Sequence, residues 1–292
     1  MLNYTVLLFT YNEERRIELL LRNFKDHARI VVLDDSSTDK TAEIAAKYSA
    51  TVIQRPKFNA GYNNKDIARW ALDQSSTEYV FIAYCSHFVP INLLNIFDDI
   101  AANQNYKAVR HGYLGVTYGK YIDKQCVVRK PGACHFFSRE VVDLSASKIH
   151  YEWPLNVPDT QILTLPVNDD LSLHVFRDYD AHITELKQSA YADAEAKERF
   201  ERGERTTAVK MIRRALLHFI CGYFRDGGIR AGVPGLLYHM WWAQMVFNIQ
   251  ARIWEYQHNK RLDEVRLLNF HMRDDLLEKI ENELLNITKK SG

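Results

Sequence analysis

The sequence predicts an α/β fold with a mostly parallel central sheet and a C-terminal helical extension, on three observations. Apolar β-type runs alternate with helix-patterned segments from residue 1 to about residue 104. From 105 to 182 the pattern changes to strands separated by long loops, which we place in the same domain. From 183 to 292 apolar residues recur at three- and four-residue intervals among many charges, as in helices.

In order along the chain, "YTVLLFTY" is a buried strand, and "NEERRIELLLRNF" sets Ile17, Leu20, Leu21 and Phe24 on one helical face with Asn12 as its expected cap. "ARIVVLDD" is the second strand. After it, "SSTDKTAEIAAKY" opens with capping residues, Ser36 to Asp39, and places Ile44, Ala45 and Tyr48 on a helical face. "ATVIQRP" returns as a short strand, "NNKDIARWALDQS" is a helix, and "EYVFIAY" is the next strand. "HGYLGVTYGKY", "QCVVRKPGACHFFS" and "LSLHVF" supply further strands and loops. Ligands of such open sheets bind beyond the carboxyl ends of the strands, so the loops after the first, second and later parallel strands are the expected site.

Composition narrows the function classes. With 292 residues the chain is long enough for a large core, and a formal charge of +1 gives no reason to expect a nucleic-acid partner. Its four cysteines, Cys85, Cys126, Cys134 and Cys221, have no metal-ligand spacing and read as thiols in a reducing compartment. No basic region with a small-residue cleavage site precedes the first strand, so the expected location is cytoplasmic without a cleaved signal. The first strand is not followed by the Gly-x-Gly-x-x-Gly turn of a dinucleotide-binding sheet.

"TYNEERRIELLLRNF" followed by "IVVLDDSSTDKTAEIAAKY" resembles the start of a family 2 glycosyltransferase, an inverting nucleotide-diphospho-sugar enzyme with the GT-A fold. Across most of the chain the resemblance is to the non-processive enzymes of lipopolysaccharide core and surface-glycan synthesis. It implies a catalytic domain over 1–182, with a donor half to about 104 and an acceptor half from 105, followed by a membrane-proximal helical extension over 183–292. It also places Thr10, Tyr11, Asn12 and Glu13 beside the donor nucleotide, and Asp34 and Asp35 as the acidic pair of which one recognises base or ribose. Carboxylates suit that task because they accept hydrogen bonds from base N–H groups and sugar hydroxyls. Asn59, Gly61, Asn64 and Lys65 fall in the next strand-end loop, where relatives set polar residues near the donor phosphates; Lys65 is either a phosphate contact or an exposed lysine.

The chain departs from the family at "FIAYCSHFVP". Relatives carry there an Asp-X-Asp element that holds a divalent cation against the diphosphate, whereas this chain has Tyr84 and Ser86 at the two acidic positions and no acid between Tyr79 and Val89. No metal ligand is therefore assigned: Mn²⁺ or Mg²⁺ remains the family's cofactor, without its usual ligands here, and His87 beside Cys85 is a weak substitute. Three readings follow: the leaving charge is met by side chains, for which Arg129, Lys130, His135, Arg139, His174 and Lys187 are available, or a metal is recruited by residues elsewhere, or the fold is kept without catalysis; the first is preferred. His174 is expected either to donate to the donor phosphates or to tie its strand to a loop. For the base that deprotonates the acceptor hydroxyl, the resemblance of "IHYEWPLNVPD" points to Glu152, with Asp159 next; His150 orients the site or packs, and Trp153 packs in the core or faces a sugar.

In the extension, "VPGLLYHMWWAQMVFNI" is interrupted by His239, Gln244 and Asn248 and falls short of a membrane span. With Arg213, Arg214, Arg225 and Arg230 nearby it suits either an interfacial helix on an anionic bilayer or core packing. Ala231 stands where relatives commonly have an Asp. The tail "RLDEVRLLNFHMRDDLLEKIENELLNI" reads as a packing helix or homodimer contact. The resulting expectation is an inverting, metal-independent glycosyltransferase with a nucleotide-diphospho-sugar donor, UDP-sugar favoured, and a glycolipid or oligosaccharide acceptor. Its alternative is a non-catalytic glycan-binding or assembly protein on the same fold.

Overall fold

The computed structural model of the chain describes residues 2–56, 65–122, 133–146, 153–177 and 180–290. Four parallel strands form the first half of the sheet: β1 (Tyr4–Thr10), β2 (Arg29–Asp34), β3 (Thr51–Gln54) and β4 (Tyr79–Tyr84). They are joined by α1 (Ile17–Phe24), α2 (Thr41–Lys47) and α3 (Lys65–Asp73), and β5 (His87–Phe88) leads into α4 (Ile91–Asn103). The second half comprises β6 (Ala108–Thr117), β7 (Lys120–Tyr121), β8 (Ala133–Ser138), β9 (Ile162–Thr164) and β10 (Ser172–Phe176).

The strand order is β3-β2-β1-β4-β8-β6-β10-β5, and β7 and β9 also pair with β6. β8 runs antiparallel to both β4 and β6, which restores β6 to the direction of β4; β9 and β10 are parallel to β6. The carboxyl ends of β1, β2, β4, β6 and β10 therefore reach one edge of the sheet, and the amino ends of β4, β6 and β9 reach the other. This is the GT-A-like α/β arrangement expected from the sequence.

Alternation along the strands sorts the core. Tyr4, Val6 and Leu8 of β1 with Tyr79, Phe81 and Ala83 of β4 join the Ile17, Leu20, Leu21 and Phe24 stripe of α1 and the buried face of α4. Leu7, Val80 and Ile82 point the opposite way, toward Ala71 and Leu72 of α3. Each such side chain contributes about 1.5–3 kcal/mol on leaving water. Aromatic rings lock the first face, with Phe97 and Phe136 stacked at 4.5 Å and Tyr79 and Phe136 at 5.4 Å. Trp153 is half-buried and packs against Phe137 on the second face, the packing role among its two expected ones.

Two helix starts differ from the sequence reading. α1 begins at Ile17 and α2 at Thr41, and neither residue preceding them makes a side-chain cap. Asn12, at φ 53°, lies four residues before Arg16, the residue that ends the turn into α1. Asn12 and Ser36 to Thr38 tie strand-end loops together instead.

The helices that follow are α5 (Ala181–Glu201), α6 (Ala208–Ile220), α7 (Val233–Gln257) and α8 (Leu262–Lys290). By internal packing the chain forms two units, 1–187 with 217–242, and 188–216 with 243–292. Within the second unit Glu204 accepts from Arg199, Arg214 and Gln250; burial opposes its ionisation, but Arg199 prevails and holds its carboxyl down at about 2. Within the first, the 217–242 segment contains one π-turn (Cys221–Arg225), two glycines, Gly222 and Gly228, against the buried His239, and a third, Gly235, against Gly228. A Cβ on Gly222 would lie 2.2 Å from the His239 ring, and one on Gly235 would lie 2.0 Å from the Gly228 carbonyl oxygen.

Gly235→Ala therefore has an inverted sign. Helix propensity alone favours alanine by about 1 kcal/mol. Because the clash is with backbone, the overpacking cost lies toward the upper end of about 1–3 kcal/mol and outweighs it, and urea unfolding should show a net loss of about 1–2 kcal/mol. A stabilised variant would show that the close approach does not exist.

Candidate functional site

The loops after β1 and β2 are laced together at the carboxyl edge. The Asn12 N–H donates to Ser37 Oγ (2.9 Å), and Asn12 Oδ1 accepts from the Thr38 N–H (2.8 Å). The Glu13 N–H donates to Thr41 Oγ1 (2.7 Å) and the Glu14 N–H to Asp39 Oδ2 (3.0 Å). At the centre is Asp34, which is buried. Its Oδ1 accepts from Thr10 Oγ1 (3.0 Å) and Ser37 Oγ (2.5 Å), and its Oδ2 accepts from the Ser37 N–H (2.9 Å). Charge-assisted bonds of this kind are among the stronger ones a loop can make.

The two residues of the acidic pair sit differently. Asp34 is buried and committed to the loop, whereas Asp35 is only partly covered. Arg55 clasps Asp35 through both its Nε (3.0 Å) and Nη2, and the Arg55 N–H donates to the Asp34 carbonyl (2.7 Å). Glu13, expected beside the nucleotide, instead binds Arg16 through both carboxylate oxygens (2.7 and 2.6 Å). Thr10 is buried against Asp34, whereas Tyr11 is 53% exposed and Asn12 is open to solvent. The edge so formed is a rigid polar shelf with Tyr11, Asn12, Ser36 and Asp35 on its outer side, able to accept from a base N–H or ribose hydroxyls.

At the end of β4, Tyr84 stacks on Phe9 (6.0 Å) and stays 41% exposed. Ser86 is half-buried, and the Phe176 N–H donates to its carbonyl (2.8 Å). Cys85 between them is buried, and that burial pushes its thiol up, away from the thiolate a metal would take. His87 is buried and neutral, its basicity lowered to about 3 by burial first and then by the neighbouring His111 and Arg177. Among the described residues no three His, Cys, Asp or Glu side chains are grouped to hold a metal ion. The donor set at the Asp-X-Asp position is thus two neutral hydroxyls flanking a protonated thiol, which does not fit the family's hard divalent cation.

The remaining expected residues scatter. Lys65 is exposed at the start of α3; Asn59, Gly61 and Asn64 lie outside the described residues, as do Arg129, Lys130, His150 and Glu152. His174 is corrected to the strand-tying role: its Nε2–H donates to the Asp169 carbonyl and its Nδ1 shares a hydrogen with Tyr121 Oη, both at 2.7 Å, so neither nitrogen is left for a phosphate. Arg139 donates to the Leu72 and Ser75 carbonyls (3.3 and 2.9 Å) and is spent on structure.

Asp159 is also corrected. It precedes β9, whose Ile162 is level with Ala108 at the start of β6, so it lies at the amino edge, opposite Asp34. There Arg110 donates to its carboxylate at 2.9 Å. A separate 460 Å³ cavity lies toward the same amino edge, lined by Arg69, Thr77, Glu78 and Arg139.

Two features escaped the sequence reading. One is the Arg55 clamp, which only the β2–β3 pairing brings to Asp35. The other is a buried trio, His87, His111 and His135, with His135 5.4 and 5.3 Å from the other two rings and bonded to Tyr113 Oη at 2.7 Å. His135, expected as an available cation, is held neutral: burial first, then His111 and His87, depress its basicity strongly.

Residues 5–82 match the model of Glycosyl transferase family 2. The lipopolysaccharide core biosynthesis glycosyltransferase LpsC of Rhizobium meliloti (strain 1021) is 24% identical over 256 residues, which cover 86% of this chain and 92% of that protein. Among solved structures, the mannosyltransferase PcManGT from Pyrobaculum calidifontis, in complex with GDP-Man and Mn²⁺, superposes with a TM-score of 0.46 at 15% identity, over 89% of this chain and 88% of that one. S. aureus TarS 1–349 in complex with UDP-GlcNAc gives 0.44 at 15% identity, over 89% and 93%.

Proposed function

The chain is a glycosyltransferase related to family 2, and from that premise we propose that it moves a sugar, with inversion, from a nucleoside-diphospho-sugar to a cell-surface glycan or lipopolysaccharide-core precursor. The single observation that carries the reading is the laced shelf of residues 10–13 and 34–39, set at the carboxyl edge within the matched segment. UDP-sugar is the preferred donor, with Asp35 the acceptor for its base or ribose.

In the reaction the acceptor oxygen attacks the anomeric carbon in line. The bond to the nucleoside diphosphate breaks with its electron pair going to the phosphate oxygen, and the hydroxyl proton passes to Glu152. Charge on the leaving group is met by side chains instead of an Asp-X-Asp metal, because Tyr84 and Ser86 offer no carboxylate; Lys65 and the cations of 123–132 are assigned to that task.

The enzyme is placed at the cytoplasmic face of the inner membrane. No described helix is long and apolar enough to cross a membrane. On α6, however, Val209, Ile212 and Leu216 are exposed at three- and four-residue spacing beside Lys210 and Arg213, a pattern suited to lying on an anionic bilayer. On α8 the exposed Leu268, Met272, Leu276 and Ile280 are assigned to a second copy of the chain.

The test is turnover of UDP-, GDP- and dTDP-sugars with crude glycolipid acceptors, in EDTA and again with Mn²⁺ or Mg²⁺. Turnover with a UDP-sugar that survives EDTA is expected. Strict dependence on added metal would overturn metal independence. Absence of both turnover and nucleotide binding would instead leave a non-catalytic glycan-binding protein.

A further inference from the structure

Beside Ser86 a cavity of 780 Å³ opens between α1 and the Cys85–Ile91 segment, distinct from the shelf formed by the β1 and β2 loops. Its wall is partly apolar. Leu19, Ile91, Phe88 and Phe176 all line it, yet they are 66, 58, 46 and 41% exposed. Together they give the mouth an apolar side that a ligand can cover.

The charges around that mouth are biased. Arg16, Arg22 and Lys25 line it against a single carboxylate, Asp26. Arg16 is neutralised by Glu13, and the nearest approach of Asp26 to Lys25 is a loose 3.9 Å. Arg22 has no acidic partner among the described residues. His27 belongs to Asp98, at 2.6 Å. One more polar group is unspent: His87 lines the cavity, and its Nδ1 is buried without a hydrogen-bond partner.

Resting on the glycosyltransferase reading above, we infer that this cavity is an acceptor subsite for an anionic amphiphile, a phosphate or carboxylate group carried on an apolar body. Arg22 and Lys25 take the anion, while Phe88, Phe176 and Leu19 cover the apolar part. Ser86 is the link to the chemistry, since it stands at the end of β4 on the same edge as Asp35. An acceptor anchored there presents its sugar hydroxyls along the edge where the donor lies, and neutral glycans lacking the anion are discriminated against.

Octyl phosphate, octyl glucoside and inorganic phosphate, each below its micelle-forming concentration, separate the two halves of the claim by calorimetry on the full chain. Octyl phosphate is expected to bind at least about ten-fold more tightly than either control, and Arg22→Gln/Lys25→Gln to remove about ten-fold of that affinity, a loss of about 1.4 kcal/mol. Phe176→Ser, at an exposed position, should weaken octyl phosphate and leave inorganic phosphate unchanged. Equal binding of octyl glucoside overturns the charge recognition, and equal binding of inorganic phosphate overturns the apolar wall. Displacement of octyl phosphate by UDP would make the cavity part of the donor site and overturn the acceptor assignment. UDP binding is measured on the same samples: UDP bound with octyl phosphate ignored ends this inference alone, whereas loss of UDP binding ends the donor reading on which it rests.

Discussion

Glu152→Gln is expected to lower turnover by about 10²–10⁴-fold, the range a positioned general base supplies, while leaving the donor KM within about two-fold. The glutamine keeps the shape and removes only the basicity, so an effect on rate without one on donor affinity is the signature of proton transfer. The rival carboxylate sharpens the test. Asp159 lies at the amino edge of the sheet, in an ion pair with Arg110, where no acceptor hydroxyl poised at the β2 and β4 ends can reach it. Asp159→Asn should therefore retain turnover within about two-fold of the parent. Steady-state rates on the two variants decide the matter. Parent-like turnover in Glu152→Gln would remove it as base, and a collapse confined to Asp159→Asn would mean that the register described for β9 and β6 is wrong.

Acid should unfold the protein well before its carboxylates are protonated, because the sheet buries His87, His111 and His135 as neutral rings. Burial lowers His87 to about 3 and His111 to about 4, the latter against the pull of the Gly112 carbonyl. In the unfolded chain these groups return to about 6.5. A base whose folded value is depressed costs nothing above its unfolded value, and the penalty grows as pH falls from about 6.5 toward the folded values. At pH 5 each of these two rings withholds about 2 kcal/mol of protonation free energy from the native state, and His135, also depressed, adds to it, so stability should drop by at least about 4 kcal/mol between pH 7.5 and pH 5. Urea midpoints across that range measure the slope. His87→Leu should remove about 2 kcal/mol of that drop and His87→Gln should do the same, whichever of the two is the more stable at pH 7.5. An unchanged slope in both would show that His87 takes up its proton in the native state.

The fold was legible where local pattern and tertiary outcome coincide. β1 and β2, α1 and its Ile17, Leu20, Leu21 and Phe24 stripe, and the runs around β6, β8 and β10 lie where apolar periodicity put them. The polar residues between them were harder to read. Asn12 and Ser36 to Asp39 have the composition of helix caps, but Asn12 bonds Ser37 and Thr38, and Asp39 bonds the Glu14 N–H, about 25 residues away across two loops, although Asp39 Oδ1 also accepts from the Thr41 N–H at the start of α2. A capping residue and a loop-lacing residue use the same atoms, and only the neighbouring strand decides which bond forms. His174 shows the same ambiguity: the residue type suits a phosphate, yet Tyr121 and Asp169, brought close by the β6–β7 turn and the loop before β10, claim both nitrogens.

What the sequence by itself determined was the alternation of strands and helices, the glycosyltransferase signature of the first two strand-end loops, and the missing acids at Tyr84 and Ser86. These are properties of residue type and near spacing, and they survive whatever the rest of the chain does. The tertiary structure alone decided that Asp34 holds the loop while Asp35 faces outward in the grip of Arg55, that Asp159 lies at the wrong edge to serve as base, and that three histidines meet in the core. The physical reason is strand order and register. β8 inserts antiparallel between β4 and β6, and that insertion settles which side chains share an edge and which lose their water.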